Sequence, residues 1–387
     1  MQSEFASCFL SVMAAVRRPK HVLCLLLAGL TVPLWLSAQT AETDDQWQGI
    51  ANGTQAIDAP LADVSLLQDV VSSGDRLVAV GERGHILVSS DQGASWQQVS
   101  GVPTRSMLIS VTAAGDRLWA VGHDTVILAS EDNGASWQLL HDEPGGDPLL
   151  DVMFNAQGHG VAIGAYSLMM RSDDWGANWS TDYMVDLVSA PVAENATGDN
   201  ALNEMGLIDQ DAMAAYEEVG IEYHLNGLVQ IDAQTLLVAA EAGHYYYSTD
   251  GGRQWTEKRL DYEGSLFGVA SSNNGSCLIM YGLRGHVFQN CTLQESEREL
   301  DVWQEIKTGT NAGLFAAADD GERTWLVGAN GAIFSLDGTA TVSDFTVDLG
   351  DDFTAVMPLA EGLLLLGESG SQIKPYSTLR SDTVSTD

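Results

Sequence analysis

The sequence predicts an all-β fold, a seven-bladed β-propeller with four-stranded antiparallel blades and Asp-box turns. The first observation behind this prediction is a pattern, S-x-D-x-G-x-x-W, that begins at Ser89, Ser130, Ser172 and Ser248. The second is its spacing, since successive starts lie 41, 42 and 76 residues apart. A period near 41 matches the length of a propeller blade, and the longest gap equals one period plus an insertion of roughly 34 residues.

Each repeat reads as four strands in a fixed order. In the first, an inner strand LLQDVV, a turn SSGDR, a second strand LVAVG, a turn ERG and a third strand HILVS precede the Asp-box and the outer strand WQQV. Seven inner strands of this kind start at Leu67, Leu108, Leu149, Gly227, Leu266, Leu314 and Phe353. Seven blades follow, although the last three lack a clean Asp-box.

The Asp-box residues are interpreted as structural. An Asp carboxylate can accept backbone N–H bonds across a hairpin turn, the glycine permits positive φ, and the tryptophan packs back between strands. We therefore assign a structural role, and no catalytic or calcium-binding role, to Asp91, Trp96, Asp132, Trp137, Asp174, Trp179, Asp250 and Trp255.

Residues 1–38 are predicted to form a signal peptide. Arg17, Arg18 and Lys20 precede an apolar run over residues 22–36, and small residues follow, so we expect cleavage near Ala38. The alternative is a retained membrane anchor, but a run of about 15 residues with a proline at position 33 is short for a spanning helix. We therefore expect a protein that is exported to the periplasm or an equivalent compartment and is soluble after cleavage.

The rest of the chain divides around the propeller. Residues 39–66 are expected to close the ring, residues 67–380 form the blades, and residues 381–387 form a flexible tail. An insertion at residues 186–226 separates blades three and four and contains a predicted short helix around Met213. The insertion is either a lid or partner arm or a solvated extension. Its carboxylates lack calcium-loop spacing, and we expect no metal and no cofactor.

Two cysteines remain after the predicted cleavage, Cys277 and Cys291. They lie on two predicted strands joined by a turn around Arg284, each seven residues from that arginine. In an oxidising compartment this placement predicts a disulfide across the two strands, and the alternative is a pair of free buried thiols.

The charge of the chain excludes one class of partner. Lys and Arg number 17 against 53 Asp and Glu, which gives a formal net charge of −36. Such a charge repels nucleic acid and anionic lipid headgroups, so we expect neither to bind. Solubility in a salty medium accounts for the acidity, and steering of a partner is the alternative.

The segment GERGHILVSSDQGASW, its repeats and the lead-in APLADVSLLQDV resemble the photosystem II stability and assembly factor family. The resemblance covers residues 57–376 and implies a seven-bladed propeller of the BNR or Asp-box type. It also implies a periplasmic or lumenal factor, lumenal if the organism is photosynthetic, that binds an assembly intermediate of a membrane protein complex. The strong acidity and the insertion depart from the family, so we carry over the architecture and the assembly-factor class.

One face of the propeller is predicted to bind. In this strand order the ERG-type turns and the connections between blades share a face, and Arg83 and Arg284 occupy equivalent turns there. Arginines at such places suit a carboxylate, a phosphate or a peptide backbone, or they neutralise neighbouring carboxylates. The candidate binding residues are Arg83, Arg105, His123, Tyr166, Arg284 and Asn330.

These features predict a non-catalytic binding platform, which we expect to be monomeric, for a membrane protein or membrane protein complex. One alternative is a sialidase-like glycoside hydrolase, since some Asp-box propellers are hydrolases and Arg83, Arg105 and Arg284 resemble an arginine triad. No tyrosine–glutamate pair stands at a recognisable motif, and the fold alone does not transfer function. A permanent structural subunit of an envelope or exporter complex is the other alternative.

Overall fold

A computed structural model describes residues 54–188, 222–293, 299–338, 340–347 and 350–380, together with the backbone of 382–383. The predicted signal peptide, most of the insertion and the helix predicted around Met213 lie outside these residues. No helix of the described part is long and apolar enough to cross a membrane.

The predicted seven-bladed propeller is confirmed. Each blade is an antiparallel sheet in which consecutive strands pair, as expected when short turns join neighbouring strands. Blades one to three contain β1 (Leu67–Ser73), β2 (Arg76–Gly81), β3 (Ile86–Ser89), β4 (Gln97–Gln98), β5 (Leu108–Ala114), β6 (Arg117–Gly122), β7 (Ile127–Ser130), β8 (Gln138–His141), β9 (Leu149–Phe154), β10 (Gly160–Gly164), β11 (Leu168–Ser172) and β12 (Ser180–Tyr183).

Blades four and five follow the insertion and have the same four-strand plan. A short helix, Met184–Leu187, begins the inserted segment. The strands are β13 (Leu225–Gln230), β14 (Leu236–Ala240), β15 (His244–Ser248), β16 (Thr256–Arg259), β17 (Leu266–Ser272), β18 (Cys277–Gly282), β19 (His286–Asn290) and β20 (Gln304–Lys307).

Blades six and seven depart from four strands within the described residues. Blade six has a fifth strand contributed by the tail, and blade seven has three strands. The strands are β21 (Leu314–Asp319), β22 (Arg323–Gly328), β23 (Ile333–Asp337), β24 (Val342–Asp344), β25 (Phe353–Leu359), β26 (Gly362–Gly367), β27 (Gly370–Pro375) and β28 (Asp382–Thr383), the last beside β24. We expected a flexible tail at 381–387, and two of its residues are thus paired while the other five lie outside the described part.

Three-residue 3-10 turns punctuate the chain, one of them just before the first strand. They span Ala62–Val64, Glu82–Gly84, His123–Thr125, Ala165–Ser167, Glu241–Gly243, Leu283–Gly285, Ala329–Gly331 and Tyr376–Thr378. Six of them join the second and third strands of blades one to six. We call the face that carries these six turns and the connections between blades the loop face. The opposite face, with the turns between first and second strands and the Asp-boxes, is the box face.

The hydrophobic core consists of seven clusters, one between each pair of neighbouring blades. The cluster between blades seven and one includes Leu364 and Leu366 from β26 and Leu67 and Leu87 from blade one. Blade seven therefore packs on blade one and the ring is closed in space. This burial of apolar area at every interface is the main force that holds the blades together.

The N-terminal segment lies across the junction of blades one and seven. The Ala56 amide donates to the Val102 carbonyl at 2.9 Å, and the Gln98 side chain binds the backbone of Ile57 and Ala59. Farther along, the chain approaches Gly370 of β27 so closely that a Cβ there would collide with the Asp63 carbonyl. Closure of blade seven by residues 39–66 stays a prediction, because much of that segment is outside the described residues.

The Asp-box turns are closed by serine and aspartate side chains. In blade two the buried Ser130 hydroxyl donates to Asp132 Oδ1 at 2.8 Å and accepts the Gly134 amide at 3.0 Å. Asp132 in turn accepts the Ser136 amide. The Trp137 indole folds back to the Gly134 carbonyl.

Blade five has no Asp-box, and a disulfide lies at the corresponding end of its sheet. The predicted bond between Cys277 and Cys291 is confirmed. Cys277 begins β18 and is buried, whereas Cys291 follows β19 and is exposed.

Candidate functional site

The six loop-face turns share one backbone conformation. Their central residues are left-handed, with φ between 52° and 59°, at Arg83, Asp124, Tyr166, Ala242, Arg284 and Asn330. A left-handed residue other than glycine costs about 1 kcal/mol or more, and asparagine and aspartate bear that cost best. The arginines and the tyrosine at these positions are therefore candidates for a functional role, because they are less suited to this conformation than asparagine or aspartate.

The two equivalent arginines are exposed cations of this face. The side chain of Arg83 is 76% exposed and its nearest carboxylate, Glu82, lies 3.8 Å away. Arg284 is also exposed, and within the described residues its guanidinium makes no hydrogen bond or ion pair. A surface pair such as Arg83 with Glu82 contributes little, so both guanidinium groups are available to a ligand.

Arg105, whose binding role stays a prediction, also makes a structural contact. It is half-buried, and its Nε donates to the Gln55 carbonyl at 2.6 Å. This contact fastens the N-terminal segment to the connection between blades one and two. Arg105 therefore stabilises the fold at a position beside the predicted site.

The other three candidates are spread along the same face. His123 and Asn330 are exposed. The backbone N–H of Asn330 donates to Asp352 Oδ1 at 2.8 Å. The Tyr166 ring is 50% exposed and meets the edge of the His224 ring, with centroids 4.8 Å apart. Tyr166 thus stands next to the point where the chain returns from the insertion.

The predicted residues share a face but do not form one pocket. Arg83 is in blade one and Arg284 in blade five, which lie on opposite sides of a seven-membered ring. A cavity of about 1170 Å³ occupies the central channel, and none of the six candidates lines it. The loop face therefore offers a broad surface with separate cationic and aromatic points.

Sequence reasoning missed two stacked sets beneath this surface. In blade five the Tyr262 ring packs on His286 at 4.5 Å, and His286 Nδ1 lies 2.8 Å from Glu305 Oε1. Tyr262 also donates its hydroxyl to the Leu283 carbonyl, in the turn that carries Arg284. These contacts hold the Arg284 turn rigidly. The available signal was a histidine at the start of the third strand with a glutamate on the outer strand.

Blade four contains the second set. Tyr223 stacks on the buried His244 at 4.2 Å, and His244 Nδ1 lies 2.8 Å from Glu257 Oε1. The hydrogen bond from His244 lowers the pKa of Glu257. Tyr246 donates its hydroxyl to the same carboxylate. Both histidines begin a third strand, and the sequence did not reveal their glutamate partners.

Within the described residues, no group of three or more His, Cys, Asp or Glu side chains is placed to hold a metal ion. The insertion itself, with its predicted lid role, lies almost wholly outside those residues. Its described start is anchored to blade four, where the Trp255 amide donates to the Leu187 carbonyl at 3.2 Å.

Comparison with known proteins supports the family resemblance predicted from the motifs. Residues 46–197 match a family described as the DUF6242 beta propeller domain. The chain is also similar to the photosystem II assembly lipoprotein Ycf48 of Synechococcus sp. (strain CC9902), with 23% identity over 225 residues. That match covers 55% of this chain and 64% of the relative, which is less than two thirds of the relative's length.

Solved structures with the same architecture include one titled YCF48 bound to D1 peptide and one of YCF48 from Cyanidioschyzon merolae. Both have a TM-score of 0.59 and 17% sequence identity. Each match covers 84% of this chain, and 98% and 99% of the respective solved chains. The Cps50 (Swd1) propeller of Myceliophteria thermophila gives the same TM-score at 12% identity, over 83% of this chain and 97% of its own. At these identities the likeness shows the fold.

Proposed function

We propose that the protein is an exported, non-catalytic binding platform that holds a segment of a membrane protein on its loop face during assembly of a membrane complex. The observation that carries this proposal is the Arg284 guanidinium, exposed on a left-handed turn and without a partner among the described residues. Arg83 repeats the arrangement in blade one. Guanidinium groups bind carboxylates and peptide carbonyls through paired donors.

The relatives support the class of function. One is an assembly lipoprotein, and one solved structure of the same fold carries a bound peptide. A rigid propeller face with accessible arginines and an exposed tyrosine suits the same kind of ligand here. We propose a periplasmic or equivalent location, and a monomeric state, as parts of the same hypothesis.

The geometry does not favour the glycoside hydrolase alternative. A sialidase requires three arginines that converge on one carboxylate. Here Arg105 is engaged with Gln55, while Arg83 and Arg284 lie across the ring from each other. Nothing in this placement favours a permanent structural subunit over an assembly factor.

The proposal is tested by affinity capture from gently solubilised membranes of the source organism. The bait is the tagged mature protein, and the variant carries Arg83→Glu and Arg284→Glu. The matched control carries Arg253→Glu and Arg323→Glu, the same charge change at two exposed arginines of the box face. We expect one membrane complex to be captured by the wild type and the control and lost from the loop-face variant. Equal capture by all three proteins would refute the assignment of the loop face.

A further inference from the structure

The central channel has an acidic wall made by two aspartates, Asp69 of blade one and Asp151 of blade three, which we call the carboxylate pair. Both occupy the same position of their inner strands, just after a bulge, and both line the cavity. Ser110 of blade two stands at the equivalent position between them. Its hydroxyl donates to Asp151 Oδ1 at 2.9 Å.

The protein holds these carboxylates firmly in place. Asp69 accepts the amides of Val70 and, from the next blade, Val111, at 2.7 and 2.9 Å. Asp151 accepts the amides of Val152 and Leu228, each at 2.8 Å. A carboxylate has about four acceptor positions, so these bonds fix the pair and leave lone pairs toward the channel.

The carboxylate pair has no counter-charge within the described residues. Both aspartates are half-buried on the channel wall, no Lys, Arg or His forms an ion pair with either, and charges withdrawn from water in proteins are ordinarily paired. Burial raises the pKa of Asp69 to about 7 and that of Asp151 to about 6. The hydrogen bonds to the two carboxylates offset only part of the free energy cost of keeping both ionised, and no cation among the described residues offsets the rest.

The opposite wall is small and aromatic. At the position of the carboxylates, blades four to seven have Gly227, Gly268, Ala316 and Ala355, which leave a recess. Gly268 also leaves room for the Tyr281 hydroxyl, because a Cβ there would collide with it. Phe267 and Phe315 precede Gly268 and Ala316 by one residue, a backbone rise of about 3.3 Å along the strand. Their ring centroids lie 5.5 Å apart. We call these two rings the aromatic pair.

The opening of the channel is negatively charged, like the wall that carries the carboxylate pair. The cavity extends to the box face, where turns between first and second strands line it. Its titratable lining groups are Asp69, Asp75, Arg76, Asp151, Tyr281, Asp319 and Asp320. Five aspartates against one arginine favour entry of cations and exclude anions.

We propose that the central channel binds a small organic cation, a primary ammonium or guanidinium group, between the carboxylate pair and the aromatic pair. Carboxylates supply the charge that such a group requires, and aromatic faces attract the same cations. An inorganic metal ion fits less well, because the described residues here offer only two carboxylates and the facing wall is apolar. This site lies inside the central channel, and the proposal does not depend on the one made for the loop face.

The test is calorimetric titration of the full mature protein with n-butylammonium and with methylguanidinium at pH 8. We expect saturable binding of one cation and at least about ten-fold weaker binding in Asp151→Asn, since one buried charge is removed. Ala316→Leu fills the recess without touching the carboxylates and is expected to weaken binding equally. Asp75→Asn, an exposed aspartate at the mouth, is the matched control and should leave affinity within about two-fold.

Acidification provides a second readout. A cation must displace the proton of Asp69, so affinity should fall roughly ten-fold or more between pH 8 and pH 5.5. No saturable binding to the wild type, equal weakening by Asp75→Asn, or equal binding of neutral n-butanol would each overturn the proposal. Competition by K⁺ or Ca²⁺ at equal concentration would overturn the claim that the site prefers organic cations.

Discussion

Aspartates serve opposite purposes in this protein according to where the repeat places them. In the Asp-box of blade one, hydrogen bonds from Ser95 lower the pKa of Asp91. In the channel, burial raises the pKa of Asp69 to about 7. An aspartate with a lowered pKa stabilises the fold above its unfolded pKa and loses that effect in acid. One with a raised pKa stabilises the fold below its unfolded pKa and loses that effect as pH rises through about 7.

Carboxyl ¹³C NMR of the ligand-free protein checks this contrast. We expect the Asp69 resonance to titrate near pH 7, because burial disfavours its charged form. The Asp91 resonance should titrate below the usual aspartate range, because its charged form accepts three hydrogen bonds from Ser89 and Ser95. Titration of both carboxyls below pH 4 would contradict the burial argument for Asp69.

The Asp-box serine provides a stability test at the same scale. Ser130→Ala removes the acceptor of the buried Gly134 amide, so we expect a loss of about 1–3 kcal/mol in the free energy of unfolding. Ser136→Ala, at an exposed serine that binds the same Asp132, is the matched control and should cost less. Denaturant unfolding measures both, and equal losses would contradict the role of the buried hydroxyl.

At the scale of the element, each blade repeats one plan and replaces parts of it. Blade five lacks the Asp-box and closes the end of β18 and β19 with the bond between Cys277 and Cys291, 14 residues apart. Blade seven has three described strands, and the N-terminal segment reaches its edge near Gly370. The blades therefore pack in the same way although different local contacts, such as an Asp-box or a disulfide, close the ends of their sheets.

Replacement of both cysteines by serine is expected to lower the free energy of unfolding by about 3 kcal/mol, because the cross-link restricts a loop of about 15 residues in the unfolded chain. Denaturant unfolding with and without a reductant measures the effect. A reductant should lower the wild-type midpoint toward that of the variant and leave the variant unchanged. A wild type that does not respond to complete reduction would contradict this account.

The sequence predicted the blades well because their strands and turns are local. Motifs around Asp91 and Asp132 recur at one spacing, and a cysteine pair near a hairpin turn is also a local pattern. The sets around His244 and His286 were missed, because their glutamates come from outer strands with weak patterns and the signal of a histidine with a distant glutamate is faint. The contact of Arg105 Nε with the Gln55 carbonyl was not predictable either, because a sequence does not reveal which distant backbone group a side chain meets.

On the scale of the whole molecule, seven apolar interfaces hold the blades and leave two faces with different chemistry. The loop face exposes Arg83 and Arg284 on strained turns. The channel reaches the box face and is acidic. In a chain of net charge −36, accessible arginines on one face are the places where an acidic or carbonyl-rich partner can bind.

Site-specific photo-crosslinking in the native membrane tests the central claim most directly. A photoreactive phenylalanine analogue replaces Tyr166 on the loop face or, as the control, Glu131, an exposed residue in the Asp-box of blade two. We predict that the loop-face probe yields a crosslink to one membrane protein, that Arg284→Glu in the same chain reduces its yield, and that the control probe yields none. Crosslinks from the control position alone, or a loop-face yield unaffected by Arg284→Glu, would contradict the account.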